Sequence, residues 1–446
     1  MGVQRNRTAL DHRSWQEQYR AKLCSPGKAA AMVHSNDIVS LCGGCCMPEG
    51  FVEALAERGQ DLKEVTLLTG YALKKYKYMD PGLKGHFNLE SVFIGPMERK
   101  SIKEGVTSYV PTHLQQVGQW LENRHPNVLA NAVSPPDERG YMSRSLYGGL
   151  SHRNIFQAAD KVIVEVNSQL PRLNGGALDI HVSEVDYIIE NDYELIQTED
   201  IQISATEKAI AGHIVELIPD GATIQLGLGG LANAVGYFLR DKRNLGCHAE
   251  IITNSLMELV KVGAVNGSRK NFHPGKVVGC FCVGSKELWD FVHENDDFVF
   301  YEVDYVNNPE IIGRNDNLIS VNNTLMVDLT GQAASESIGP VQYSGTGGQV
   351  NFVQGATRSK GGKSILAFSS TYSDSEGNPH SRIMPVLPLG TVISTTRNDV
   401  QLVVTEFGIA DLRWKSIRER VRALIKIAHP DFRDTLAFQA RKYRWL

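Results

Sequence analysis

No stretch of the 446-residue sequence approaches the roughly 18 uncharged apolar residues that a membrane-crossing helix needs. The opening MGVQRNRTALDHRSWQEQYR is charged throughout and lacks the apolar core of a secretory leader, which points to a cytoplasmic protein. No basic block is long enough to lay a counterion-releasing stripe along a nucleic acid; 46 basic residues stand against 50 acidic ones, for a net charge of −4. Nucleic acid and membrane are therefore poor partners. Cysteine is scarce and odd in number, seven in all, clustered at Cys42, Cys45, Cys46 and at Cys280, Cys282, which suits reduced thiols better than a disulfide framework. Cys42-Gly-Gly-Cys45-Cys46 looks like half a zinc site, yet no second CxxC or HxxxH pair completes a ligand set, so no metal is expected.

What is present is the composition of an ordinary α/β protein: 42% apolar and 22% charged residues, with 41 Gly and 17 Pro. A chain this long exceeds one hydrophobic core, so two domains are expected, over 1–199 and 200–446. Strand-like runs alternate with helical patterns, as in DIVSLCG, PEGFVEALAERG and EVTLLTG, which argues for βαβ units around parallel or mixed sheets. Residues 37–55 and 220–239 repeat one order of strand, Gly-rich turn and amphipathic helix, so the chain reads as a duplicated module. The linker is placed near Glu194 to Glu207.

In the second module the strand ATIQLG leads through Gly227, Leu228, Gly229 and Gly230 into a helix beginning near Asn233, whose open N–H groups attract anionic or oxyanionic atoms. The next strand carries Cys247-His248-Ala249-Glu250, with Asn254 read as the cap of a following helix. Glu250 thus falls at the carboxyl edge of a sheet, where open α/β folds bind ligands. Its counterpart in the first module is read as Thr66, so one copy alone keeps a carboxylate. Gly227-x-Gly229-x-x-Ala232 with an acid about 20 residues on also fits a dinucleotide site, so a nicotinamide-dependent dehydrogenase competes, as does a turn of purely structural meaning.

Beyond this segment come Ser134-Pro-Pro-Asp-Glu-Arg-Gly140, Ile180-His-Val-Ser-Glu-Val-Asp186, Leu226-Gly-Leu-Gly-Gly-Leu-Ala-Asn-Ala-Val235 and Val303-Asp-Tyr-Val-Asn-Asn-Pro309. Ser344-Gly-Thr-Gly-Gly-Gln349, Thr396-Arg-Asn-Asp399, Val404-Thr-Glu-Phe-Gly-Ile-Ala410 and Ala428-His-Pro-Asp-Phe-Arg433 follow. In this order and spacing they resemble the acetyl-CoA hydrolase and CoA-transferase family, particularly its 4-hydroxybutyrate and butyryl-CoA:acetate CoA-transferase branch, from near Asp37 to Pro430. The resemblance implies the CoA-transferase fold and a homodimer. It also implies a catalytic glutamate at Glu250, in a segment like G-x-H-[ST]-E, and coenzyme A contacts from Gly227, Leu228, Gly229, Gly230 and Leu231 with Leu325, Ser344, Gly347 and Gly348. Asn307 is carried over as a donor to the coenzyme A amides, with turn formation before Pro309 as the alternative.

The implied chemistry is transfer of coenzyme A between short acids, through a glutamyl thioester and with ping-pong kinetics, needing neither metal nor redox cofactor. Hydrolysis of acyl-CoA by the same glutamate is the alternative. Because Glu250 must be ionised, a partly polar pocket is expected around it. His248, two positions away on the strand, is expected on the same face, where it either orients the carboxylate or serves the core. Ala249, Asn351 and Trp414 stand where the family has Ser or Thr, Asp and Gly, and Ser373 replaces a lysine whose charge Lys360 or Lys363 would have to supply. The acids expected are butyrate or 4-hydroxybutyrate; Arg172, with Arg99 and Arg358, is read either as a surface arginine or as the partner of a second carboxylate, which would extend them to four- or five-carbon dicarboxylates such as succinate or itaconate.

Overall fold

The structure is a computed structural model and describes residues 13–198 and 202–446. Residues 1–12 of the segment read as leaderless, and residues 199–201 of the expected linker, lie outside the described residues. The chain forms two compact units. One comprises the described residues up to Thr198 together with Gly279–Tyr305, the other those from there to Val278 together with Val306–Leu446. Contiguous halves meeting at 199/200 are therefore not what forms. The excursion 279–305 belongs to the first unit because its side chains are anchored there: Phe281 lies on Tyr147 with ring centroids 5.0 Å apart, and Glu302 pairs with buried Arg144 at 2.6 Å.

The first unit is built on seven parallel strands: β1 (Ile38–Leu41), β2 (Val65–Thr69), β3 (Phe87–Ser91), β4 (Thr107–Tyr109), β5 (Val128–Val133), β6 (Lys161–Val166) and β7 (Tyr187–Glu190). Their spatial order is β4-β3-β2-β1-β5-β6-β7. Runs such as Val128-Leu-Ala-Asn-Ala-Val133 are buried along their whole length, as strands covered on both faces must be. The amphipathic helix α1 (Glu49–Glu57) follows β1 and sets Phe51 and Leu55 into a core shared with Leu67 and Phe87.

The second unit repeats this plan with β8 (Thr223–Leu226), β9 (Gly246–His248), β10 (Val277–Gly279), β11 (Leu318–Asn323), β12 (Lys363–Ala367), β13 (Leu402–Thr405) and β14 (Gly408–Asp411). They run β10-β9-β8-β11-β12-β13-β14, parallel except for antiparallel β14. In both sheets the order reverses beside the strand of the repeated segment, β1 or β8, so the echo in sequence corresponds to one topology used twice. The fold is α/β with parallel and mixed sheets, as the alternation of runs implies.

Local boundaries differ from the sequence reading. Helix α2 (Gly230–Phe238) starts at Gly230 rather than near Asn233, because Gly229, at φ 114, already turns the chain. Asn254 is the first residue of helix α3 (Asn254–Lys261), and Thr253 is its cap. Thr66 pairs with Ile38 near the start of β2, whereas Glu250 lies two residues beyond the end of β9. Two residues beyond the end of β2 stands Tyr71, again not a carboxylate.

Candidate active site

The first copy of the repeated segment is closed from within. The buried carboxylate of Glu165 accepts the N–H groups of Gly50 at 3.0 Å and Phe51 at 2.9 Å, filling the positive start of α1 with its own anion. In the second copy Gly229 caps α2 without a side chain. The carboxylate of Glu207 stands beside that helix start: a Cβ on Gly230 would come 2.2 Å from its Oε1. Gly227 N–H is bonded to Val321 at 3.1 Å and the Leu228 carbonyl to Asn323 at 3.3 Å, which ties the turn to β11. Leu228 is exposed at this turn, while Leu231 is buried under the helix.

Glu250 sits at the same carboxyl edge. Asn307 Nδ2 donates to its Oε2 at 2.6 Å, and the Gly348 N–H donates to the carboxylate as well. Gly348 is the cap of helix α4 (Gln349–Arg358), so the positive helix start points at the acid. Glycine at 348 is a matter of space rather than of backbone freedom, since φ is −87: a Cβ would lie 1.7 Å from Glu250 Oε2 and 2.4 Å from Asn307 Nδ2. Burial pushes the Glu250 carboxyl up to about 7, against the pull of Asn307 and Gly348, and no cation is among these influences. The carboxylate is part-buried and lined by two polar donors, while burial works against the always-ionised state that was expected. Two neutral donors hold a desolvated carboxylate near the middle of its titration at neutral pH.

Asn307 is fully buried, and its Nδ2 donates to Glu250. The turn role belongs to Asn308, whose side chain caps the short helix Pro309–Ile312. His248 does not bond Glu250. The strand ends at His248, so the two residues do not share an alternation, and its ring nitrogens face the Val306 carbonyl at 2.8 Å and Asn315 at 3.4 Å. Leu325 and Ser344 lie in loops around this edge, Leu325 N–H bonded to Ala334 at 3.0 Å and Ser344 N–H to Glu336 at 3.0 Å, and Gly347, at φ 51, makes the turn into α4.

One anchor escaped the sequence reading. Gln349 is buried; its Oε1 accepts from Ser335 at 2.7 Å and Thr395 at 3.2 Å while its amide holds the Asn323 carbonyl. It pins the start of α4 to the end of β11, and with it Gly348. Glutamine immediately after the Gly-Gly pair was the available signal.

Two of the three arginines are bonded within the protein. Arg172, in the first unit, is held by Asp179 at 3.0 Å, Asp137 at 3.5 Å and the Tyr141 carbonyl at 2.8 Å. Arg358 bonds Glu310 and ends α4, about 15 Å of helix away from Gly348. Arg99 lies beside Glu98 and Tyr71 in the first unit. Lys363 begins β12 and donates to the Leu217 carbonyl at 2.9 Å, and Lys360 precedes it, so both stand at the amino edge of the sheet, opposite Glu250. Ser373 itself is exposed. Among the described residues one acidic and imidazole group, His152, Glu302 and Asp304, has metal-like spacing, but Glu302 is already paired with Arg144.

This arrangement has known counterparts. The N-terminal domain of the acetyl-CoA hydrolase/transferase family matches residues 7–198 and its C-terminal domain residues 284–440. The 4-hydroxybutyrate coenzyme A transferase of Clostridium kluyveri is 41% identical over 96% of this chain and 99% of that protein. The succinyl-CoA:cyclohexane-1-carboxylate CoA transferase of Geobacter metallireducens is 42% identical over 96% of this chain and 97% of its own length. The crystal structure of RipA from Yersinia pestis superposes with a TM-score of 0.92 at 34% identity, covering 97% of this chain and all of that one. With both domains matched and likeness along nearly the whole chain, the protein belongs to the acetyl-CoA hydrolase/transferase family, as an enzyme of its CoA-transferase class.

Proposed function

We propose that the protein moves coenzyme A between short-chain carboxylic acids through a covalent bond to Glu250. Ionised Glu250 attacks the acyl-CoA carbonyl and expels the CoA thiolate, leaving a mixed anhydride. The thiolate then attacks the glutamyl carbonyl and releases the first acid, leaving a glutamyl-CoA thioester. An incoming carboxylate attacks that thioester, and the two steps in reverse deliver its CoA ester. The observation that carries this reading is the convergence of Asn307 Nδ2 and Gly348 N–H on a part-buried carboxylate that, among the described residues, no cation neutralises. When CoA attacks the glutamyl carbonyl, charge develops on the glutamyl oxygen, and the carboxylate already has Asn307 Nδ2 on Oε2 and the Gly348 N–H beside it. The dinucleotide alternative has no such use for these groups, since it needs the acid for a ribose hydroxyl.

The acid is a monocarboxylate of about the size of butyrate or 4-hydroxybutyrate. Two of the three arginines that a succinate or itaconate specificity called for, Arg172 and Arg358, are bonded to Asp179 and Glu310, which supports this choice. The test is two-substrate kinetics with butyrate, 4-hydroxybutyrate, succinate and itaconate against one acyl-CoA. Parallel double-reciprocal lines with a monocarboxylate preference support the reading; steady CoA release without any acceptor would favour the hydrolase.

A further inference from the structure

His248 is fully buried two residues before Glu250, and the transfer chemistry makes no direct use of it. Its Nε2 lies 2.8 Å from the Val306 carbonyl oxygen, which can only accept, so Nε2 carries the proton. Nδ1 is then the acceptor facing Asn315 Nδ2 at 3.4 Å, and Asn315, also buried, holds the Ile312 carbonyl at 3.1 Å. The Val306 carbonyl and the Asn307 backbone nitrogen share one rigid peptide plane, so a bond to the carbonyl fixes the backbone from which the Asn307 side chain reaches Glu250. The imidazole also packs edge-on against Phe352 of α4, with centroids 6.3 Å apart, four residues beyond Gly348. One ring therefore touches both segments that supply donors to Glu250. Burial holds it neutral, pushed down to about 3, and the charged groups acting on it are Lys270 and His273. Lys270 Nζ bonds the adjacent Cys247 carbonyl at 2.8 Å.

We infer that His248 is a positioning residue for the transfer: by holding the Val306 carbonyl it sets the Asn307 amide onto the Glu250 carboxylate. This rests on Glu250 as the nucleophile. With that amide displaced, Glu250 keeps its burial and loses one of its two donors, so its proton is harder to remove and its acyl oxygen less well stabilised.

The test compares His248→Met, which removes the bond, with His248→Gln, whose amide N–H reaches the position of Nε2, and with Asn307→Ala, each assayed across pH and scaled to folded protein. The expected result for His248→Met is a kcat lower by about tenfold or more with KM for acyl-CoA unchanged. The acidic limb of the pH profile should move up by about one unit, Asn307→Ala should add little to it, and His248→Gln should recover most of the loss. A fall in kcat with the limb unmoved, or effects that add fully to those of Asn307→Ala, would overturn the inference. If His248→Met does not fold, His248→Gln and the shorter His248→Asn decide: Gln near wild type with Asn shifted supports it, and equal behaviour of the two overturns it. A Glu250→Gln control that still transfers CoA marks failure of the nucleophile reading instead.

Discussion

Gly348 approaches Glu250 so closely that a Cβ on the glycine would stand 1.7 Å from Oε2. Alanine accepts the local backbone, φ −87 and ψ 2, so Gly348→Ala should fold while displacing the carboxylate. Transfer is expected to drop by about 10²-fold or more, with a thermal midpoint lowered by only the few degrees that local overpacking costs. Turnover and differential scanning fluorimetry on one preparation separate the two effects.

Asn307→Ala removes the 2.6 Å donor to Oε2. Loss of one such donor typically costs about 10²–10³ in rate, and it should appear in kcat rather than in KM for acyl-CoA. Steady-state kinetics with a fixed acid concentration measure it.

The pH profile follows from Glu250 standing at about 7 in its buried site. The ionised form is the nucleophile, so kcat/KM should rise with pH and level off above the midpoint, giving an acidic limb centred near 7 rather than near 4.5. A limb centred near 4.5 would show that the carboxylate is solvated when substrate arrives.

Stability should respond to His248 on the acid side. Its folded value is pushed down to about 3 from 6.5, so the unfolded chain takes up the proton first as pH falls. Stability is thus lost progressively from about 6.5 towards about 3, and the part due to this residue should vanish in His248→Phe. Urea unfolding of both proteins at pH 7 and pH 5 gives the comparison.

Arg172→Ala should leave the ranking of acids unchanged, because its guanidinium is spent on Asp179, Asp137 and the Tyr141 carbonyl. It should instead destabilise the first unit by about 2 kcal/mol, since two carboxylates lose their partner. A shift towards or away from dicarboxylates in an acceptor panel would return Arg172 to the substrate pocket.

The two sheets, the repeated strand-turn-helix and the edge that carries Glu250 were legible because each is written locally, in runs and turns of a few residues. The return of 279–305 to the first unit was not, since nothing local distinguishes a segment that changes partner. The role of Asn307 was hidden for the same reason: its contact spans 57 positions, and a turn before proline explained it equally well. His248 was misplaced by extending strand alternation past the end of β9. Trp414, fully exposed at φ 58, stands where the resemblance calls for glycine, and the left-handed backbone explains that preference.

The central claim is a covalent one, and peptide mapping tests it most directly. The enzyme is incubated with acyl-CoA alone, digested at mildly acidic pH and examined by mass spectrometry. The account predicts CoA attached to the peptide containing Glu250, lost when an acceptor acid is added and absent from Glu250→Gln. Coenzyme A on another residue, or transfer at an unchanged rate by Glu250→Gln, would contradict it.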